Sequence, residues 1–411
     1  MTSPSPIASA VDYDPFSASV LDEPWPAYAR LREHCPVHHH ANFQPPFFSL
    51  SRYEDVRAAL AEPQHFSIRY GQSPQYTRPA GLVNDPPEHT PFRQLFNRAF
   101  TPRVVARLAG EIRALGERLI DDMLPAGGTE FHAAYASPLP TTVIANLLGI
   151  PATDHERFRR MSDALTATYN EPDPAASAEP RAAFDRYFAA VLAGRRQRLA
   201  EAGVAEAGLE DLGHALPDDL VSRFVVSEVE GRRLDDRELQ WQLLLLLLGG
   251  NETGTALITN LLWRLLEVPE RWEAVKRDPA LRDAAVEESL RFDAPVLGLF
   301  RTAAHDLDLY GVTIPEKSKV MLLFASANRD PSVFEDPDEF QLERDPEVTR
   351  RRSLTFGFGA HYCPGAALAR LEAQVTLDLM VERMPELRLA GPTRRIVPFN
   401  LWGRAQLPLA W

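Results

Sequence analysis

Apolar residues along this chain recur mostly at spacings of three and four, the mark of helices that bury one face. Trp25, Tyr28 and Leu31 set the first such stripe, over residues 25–34. Short strand candidates follow near residues 36–39 and 47–50, then an amphipathic helix over 53–61. Residues 66–84 break the rhythm, because Gly71, Pro74, Pro79 and Gly81 permit no regular element. Long irregular loops in compact proteins tend to carry function. Helical patterns resume over 104–124, 141–148, 155–168 and 181–199, separated by Pro125, Gly127, Pro151, Pro172 and Pro174. Residues 201–219 are polar and aperiodic and read as a linker between helices. The longest stripe spans 235–267 through Leu239, Leu243, Leu246, Leu257, Leu261 and Leu265 and stops before Pro269. A further helix covers 281–291, strand-like stretches lie near 307–310 and 319–324, and 397–401 reads as a hairpin tip. The pattern predicts a mainly α fold with small sheets, residues 23–411 forming a single domain behind a flexible N-terminal arm, 1–22.

Composition narrows the picture. A net charge of −13 lacks the basic footprint of a general nucleic-acid binder. Two cysteines, Cys35 and Cys363, cannot build a disulfide framework, as expected of a reduced compartment. The longest run of leucines, Leu243 to Leu248, is about a third of the roughly 20 residues a bilayer crossing needs. Residues 1–22 lack the basic start and apolar core of a secretory signal. These features predict a cytoplasmic protein with no membrane and no nucleic-acid partner, and we expect a monomer.

Three places are chemically odd. Around Cys363, glycines at 357, 359 and 365 suit a sharply turning loop whose backbone lies against a flat partner. Pro364 suits the first position of a helix, whose N-terminal partial charge favours a thiolate, so Cys363 is a candidate soft metal ligand. After Asp85-Pro86-Pro87, His89 and Arg93 stand at i and i+4, on one helix face, where they can clamp an anion. Within the long apolar stripe, Gly249-Gly250-Asn251-Glu252-Thr253 places two glycines, each costing about 1 kcal/mol in a helix, beside an acid and an alcohol. That predicts a local distortion able to admit water and pass protons. His38-His39-His40, by contrast, alternate across a strand and cannot easily meet one ion.

Phe356, Gly357, Gly359, His361, Cys363 and Gly365, followed by Leu368-Ala369-Arg370, resemble the haem-ligand loop of the cytochrome P-450 family and the helix after it. A lone Gly-x-Cys would fit a structural turn; six ordered positions do not. The resemblance spans nearly the whole chain. It implies that family's fold, a large helical domain with a long central helix over the haem plus small β-sheets. It implies heme b (iron protoporphyrin IX) with Cys363 as the axial thiolate and sole metal ligand from the chain. Phe356 would shield the sulfur, Gly357 and Gly365 shape the loop, and His361, Arg301, His89 and Arg93 meet the propionates. Glu252 and Thr253 match the acid and alcohol that support oxygen activation, with O2 as co-substrate. Glu288, Arg291 and Arg344 match a structural ion-pair group. Tyr70, Tyr76, Leu82, Val83, Leu246, Gly249, Gly250, Val296, Leu297, Leu299 and Phe399 are expected to border the substrate.

The reaction class implied is haem-thiolate monooxygenation: hydroxylation of a C–H bond in a small hydrophobic substrate such as a terpenoid or an aromatic. No flavin or iron-sulfur segment is visible, so electrons are expected from a ferredoxin with its NAD(P)H-dependent reductase. Arg98, Arg103, Arg107 and Arg350-Arg351-Arg352 are candidates for its docking patch. A haem-binding sensor or carrier would lack the acid and alcohol pair. A peroxide-driven peroxygenase would replace it with a clamp for a substrate carboxylate. Pro364 cannot donate an N–H toward the sulfur, which predicts a lower haem potential than another residue would give.

Overall fold

The computed structural model describes residues 11–168 and 175–411. Helices form where the apolar stripes predict them, because each stripe buries against another. The main ones are α1 (Trp25–His34), α2 (Tyr53–Ala61), α3 (His89–Ala99), α4 (Pro102–Met123), α5 (Pro138–Leu147), α6 (His155–Thr168), α7 (Ala178–Glu201), α8 (Asp236–Gly250), α9 (Glu252–Glu267), α10 (Ala280–Phe292) and α11 (Ala366–Arg383). Shorter helices lie at Leu220–Val226, Pro269–Arg277 and Pro346–Arg352, none longer than 9 residues, over which an apolar stripe repeats too few times to announce itself. The largest core gathers around α8, α9 and α11, with Leu243, Leu247, Ile258, Leu261, Leu377 and Leu379 essentially inaccessible. Full burial of such side chains is worth roughly 1.5–3 kcal/mol each. α8 begins with a reciprocal cap: Asp235 accepts from the Glu238 N–H at 2.8 Å and Glu238 accepts from the Asp235 N–H at 3.0 Å.

Two expectations need correction. The stripe over 235–267 is not one helix but two, interrupted at Asn251 (φ −92°, ψ −77°). The N-terminal segment is no loose arm where it is described: Val11 and Tyr13 are buried, Phe16 stacks on Phe43 at 4.9 Å, and Ala18–Asp22 is helical. Few apolar residues sit there, but Val11, Tyr13, Phe16, Val20 and Leu21 all join one hydrophobic cluster. Residues 1–10, Pro172 and Pro174 lie outside the described residues.

The principal sheet is ordered β1-β2-β5-β4-β3, from β1 (Val37–His40), β2 (Phe47–Leu50), β3 (Phe66–Ser67), β4 (Leu299–Ala303) and β5 (Lys319–Leu322). β2 and β5 are parallel and the other pairs antiparallel. The histidine triplet lies on β1, where His39 and His40 stack on Phe48 and Phe47 of β2. Val320 sits opposite Arg301, and Lys319 opposite Thr302, so strand alternation sends Arg301 and Lys319 to opposite faces. Among the described residues, no helix is long and apolar enough to cross a membrane.

Candidate active site

The cysteine loop is held by its own backbone. The Leu354 carbonyl accepts from the Gly357 N–H (2.9 Å), Gly359 from Tyr362 (3.1 Å), and Phe356 from Cys363 (2.9 Å). Gly357 and Gly359 take φ of +73° and +71°, conformations that L side chains rarely adopt. A Cβ on Gly359 would also stand 3.1 Å from the Leu60 carbonyl of α2. Burial pushes the Cys363 thiol up; the Gly365 N–H, Arg93, Arg370 and the Ala366 N–H pull it back. The helix-end effect expected from the sequence is therefore present, but in the polypeptide alone burial outweighs it. Arg370 is fixed by Glu287 (Nε to Oε1, 2.6 Å) and lies 4.6 Å over the Phe356 ring.

Beside the loop stands a cluster of cationic and imidazole groups. His89 and His361 have ring centroids 4.3 Å apart, and neither Nε2 has a hydrogen-bond partner. Arg301 is buried, spending one donor on the Phe300 carbonyl, and Arg93 donates to the Tyr362 carbonyl at 2.5 Å. Among the described residues, no carboxylate pairs with any of these four. Asp85, the nearest acidic influence, is engaged by the Ser67 hydroxyl (2.6 Å) and the Ile68 N–H (3.0 Å). The strain shows in the protonation equilibria. Burial, reinforced by Arg301, His89 and Arg93, lowers His361 to about 3, and burial lowers Arg301 to about 10. Buried cations and orphaned imidazole nitrogens of this kind call for an anion.

The break between α8 and α9 is built by packing. A Cβ on Gly250 would fall 2.6 Å from Ile144 Cδ1 of α5, whereas Gly249 meets nothing within 4 Å. Asn251 is pinned by the Thr141 hydroxyl and donates to Ser162 Oγ at 2.7 Å. Thr253 Oγ1 donates to the carbonyl of Gly249 at 2.7 Å. Burial, with a contribution from Asp163, raises Glu252 to about 7, where it exchanges protons readily near neutrality.

These features share one cavity of about 510 Å³. Cys363, Arg301, His89, Arg93, His361, Glu252 and Thr253 all line it, amid Leu82, Leu244, Leu246, Leu248, Val296 and Leu299. A sulfur donor, a glycine-lined loop, an anion-seeking cluster and apolar walls suit a flat, apolar metal macrocycle bearing two carboxylates. The cytochrome P450 family model matches residues 32–385. The chain belongs to the cytochrome P450 family. It is 35% identical over 371 residues to a steroid C26-monooxygenase of Mycobacterium tuberculosis, covering 89% of this chain and 87% of that protein. It is 33% identical over 403 residues to the cytochrome P450 monooxygenase PikC of Streptomyces venezuelae, covering 95% and 91%. The structure of cytochrome P450 CYP109Q5 from Chondromyces apiculatus superposes with a TM-score of 0.83 at 32% identity, covering 97% of this chain and 98% of that one. The chain is thus a P450 monooxygenase of the P450 fold, and membership implies haem on a cysteine thiolate with O2.

Of the residues expected at the substrate, Leu82, Val83, Leu246, Gly249, Gly250, Val296 and Leu299 line the P450 cavity. Four do not. Tyr70 and Tyr76 point outward and pair edge to face at 6.3 Å, Leu297 is buried in the core behind, and Phe399 packs on Phe16 at 4.6 Å. A single strand or loop position decides which face a side chain takes, and sequence pattern in an irregular segment does not record it. Glu288 and Arg291 form a two-point ion pair (2.7 Å each), both fully buried, and Arg344 Nε stands 3.3 Å from Glu288. Of the arginines named for docking, Arg350 is committed to Asp283, Glu287 and Glu347, whereas Arg98, Arg103, Arg107, Arg351 and Arg352 are exposed. Sequence reasoning passed over Asn251, Glu287 and Glu372. Glu372, on α11 and lining the cavity, is raised to about 8 by burial, and its Oε1 has no partner. Its only sequence signal is an acid on an otherwise buried helical face.

Proposed function

We propose that this P450 hydroxylates a C–H bond of a hydrophobic organic molecule, with heme b held by the Cys363 thiolate. The observation that carries this is the meeting of Cys363 and the uncompensated cluster of His89, Arg93, Arg301 and His361 in one apolar cavity. Haem bound there supplies the oxygen-activating chemistry. Arg301, Arg93 and the two imidazoles hold the propionates. Gly357 and Gly365 let the loop approach the macrocycle, and Phe356, braced by Arg370, covers the sulfur. Glu252 carries an exchangeable proton near neutral pH. Thr253 offers its hydroxyl at the helix break, with Gly249 O as its resting partner. Glu288, Arg291 and Arg344 hold the base of the loop. The apolar walls exclude water and orient the substrate.

An electron-donating ferredoxin with its NAD(P)H-dependent reductase completes the reading. Its docking would use Arg98, Arg103, Arg107, Arg351 and Arg352, and electron transfer should then weaken with rising salt. Residues 23–411 act as a single catalytic domain, monomeric and cytoplasmic. A sensor or carrier reading fits less well, since the acid and alcohol at the break serve no purpose in it. The deciding experiment is the absorption spectrum of haem-supplied protein, reduced under carbon monoxide. A mercaptide-type band that disappears in Cys363→Ala is expected; an imidazole-type band, or one indifferent to that change, overturns the assignment.

A further inference from the structure

The loop containing Gly71, Gln72, Ser73, Thr77, Pro79 and Leu82 forms part of the cavity wall, yet little within it holds it in place. Its own bonds are few: Gly71 N–H to the Ile68 carbonyl, Thr77 N–H to the Tyr70 carbonyl, and the Ser73 hydroxyl to the Gln75 carbonyl. Its far end is tied to α8, where Gln242 donates to the Ala80 carbonyl (3.3 Å) and accepts from the Leu82 N–H (3.3 Å). Its near end is tied to the sheet. Lys319 Nζ, on β5, donates to the carbonyls of Tyr70 (2.8 Å) and Gly71 (3.3 Å) and lies 5.0 Å from the Tyr76 ring centroid. Tyr76 in turn donates its hydroxyl to the Lys317 carbonyl (2.5 Å). Lys319 is one of only three lysines in the chain, its side chain is wholly inaccessible, and no carboxylate pairs with it among the described residues. A buried, unpaired ammonium is expensive, and no catalytic part of the cavity needs it.

We infer that Lys319 is a positioning residue that clasps the loop of residues 70–77 to the haem-side sheet and so sets the shape of the substrate cavity. Rigid walls on either side make this effective: the Phe300 N–H of β4 also donates to the Gln72 carbonyl, so the clasp aligns the loop along the strand that carries Arg301. Burial, with Arg301 nearby, lowers the Lys319 amine to about 7. In its neutral form the amine keeps two N–H donors, matching the two carbonyls it serves. Tyr70 and Tyr76, which do not face the cavity, pack around the clasp instead.

This inference rests on the haem-monooxygenase reading only for its affinity measurement. Holoprotein and its Lys319→Met variant would be compared by hydrogen exchange and by titration with clotrimazole, a bulky azole probe followed through the haem band. Exchange over residues 70–77 should rise about tenfold or more, while that of residues 299–303 stays within about twofold. Clotrimazole should bind about tenfold more weakly, as expected for the loss of two hydrogen bonds. The carbon monoxide band of the reduced variant should not move. Unchanged exchange over 70–77, loss of protection spread evenly through the sheet, or unchanged azole affinity would each overturn the inference. Wild-type holoprotein offers a check that needs no variant. An amine-reactive succinimidyl ester should label Lys319 at least about tenfold more slowly than exposed Lys317, and comparable rates would overturn it as well. Failure of the haem reading would appear separately, as a wild-type protein without the mercaptide band.

Discussion

The cysteine loop and the loop of residues 66–84 border the same cavity and are built by opposite means. The first is closed by three backbone hydrogen bonds within 354–363 and by glycines at positive φ. The second depends on partners some 160 to 250 residues away, Gln242 on one side and Lys319 on the other. Local closure sets the shape of the loop that carries the sulfur. Clamping at a distance lets the cavity wall differ without disturbing the loop of Cys363.

The sharpest break in that comparison is Cys363→Ala, which should abolish the mercaptide band and turnover together while leaving the far-ultraviolet dichroism unchanged. Next in size is Arg291→Ala, which removes the two-point partner of buried Glu288 and leaves that carboxylate only Arg344 as a counter-charge. Unfolding by denaturant should show a loss of about 3–5 kcal/mol. Glu252→Gln should slow oxygen-dependent turnover about 10²-fold, within the usual range for a proton-transfer group. The pH dependence has a defined sign. Glu252 titrates at about 7 in the folded protein, so the donor form prevails below that pH. Wild-type turnover should decline as pH rises through about 7, and the glutamine variant should lose that inflection. Because the folded value lies above the ordinary carboxylate one, the wild type should also lose stability as pH rises from about 4.5 to about 7. Melting curves of the glutamine variant should show a shallower decline, the share of Glu372, which burial also raises, remaining.

A smaller change tests the distant clamp. Gln242→Leu removes both bonds to Ala80 and Leu82, and azole affinity should fall about tenfold with the carbon monoxide band unmoved. A shifted band would mean that the two loops are not independent. Smallest is Pro364→Leu, which restores an N–H beside the sulfur. One weak hydrogen bond to a one-electron centre corresponds to a rise of about 20–40 mV in a redox titration, and an unchanged or lower potential would count against the effect.

Much of this protein is legible in its sequence alone. Helices such as 25–34, 53–61 and 155–168 follow from apolar spacing, since burying one stripe is a local, periodic demand. The cysteine loop is legible because its glycines meet a backbone requirement where they stand, although the helix after it begins at Ala366, capped by Gly365, and not at Pro364 as expected. Gly249 and Gly250 announced a fault in the long stripe, but not that the helix divides at Asn251, which needs Ile144, Thr141 and Ser162 from other helices. Tertiary structure alone decided that Tyr70, Tyr76, Leu297 and Phe399 turn away from the cavity, that Val11 and Tyr13 are packed, and that Lys319 is buried. The physical reason is common to all of these. Backbone conformation and helical period are set by near neighbours, whereas the facing of an irregular segment and the burial of a charge are set by groups the chain brings together only on folding.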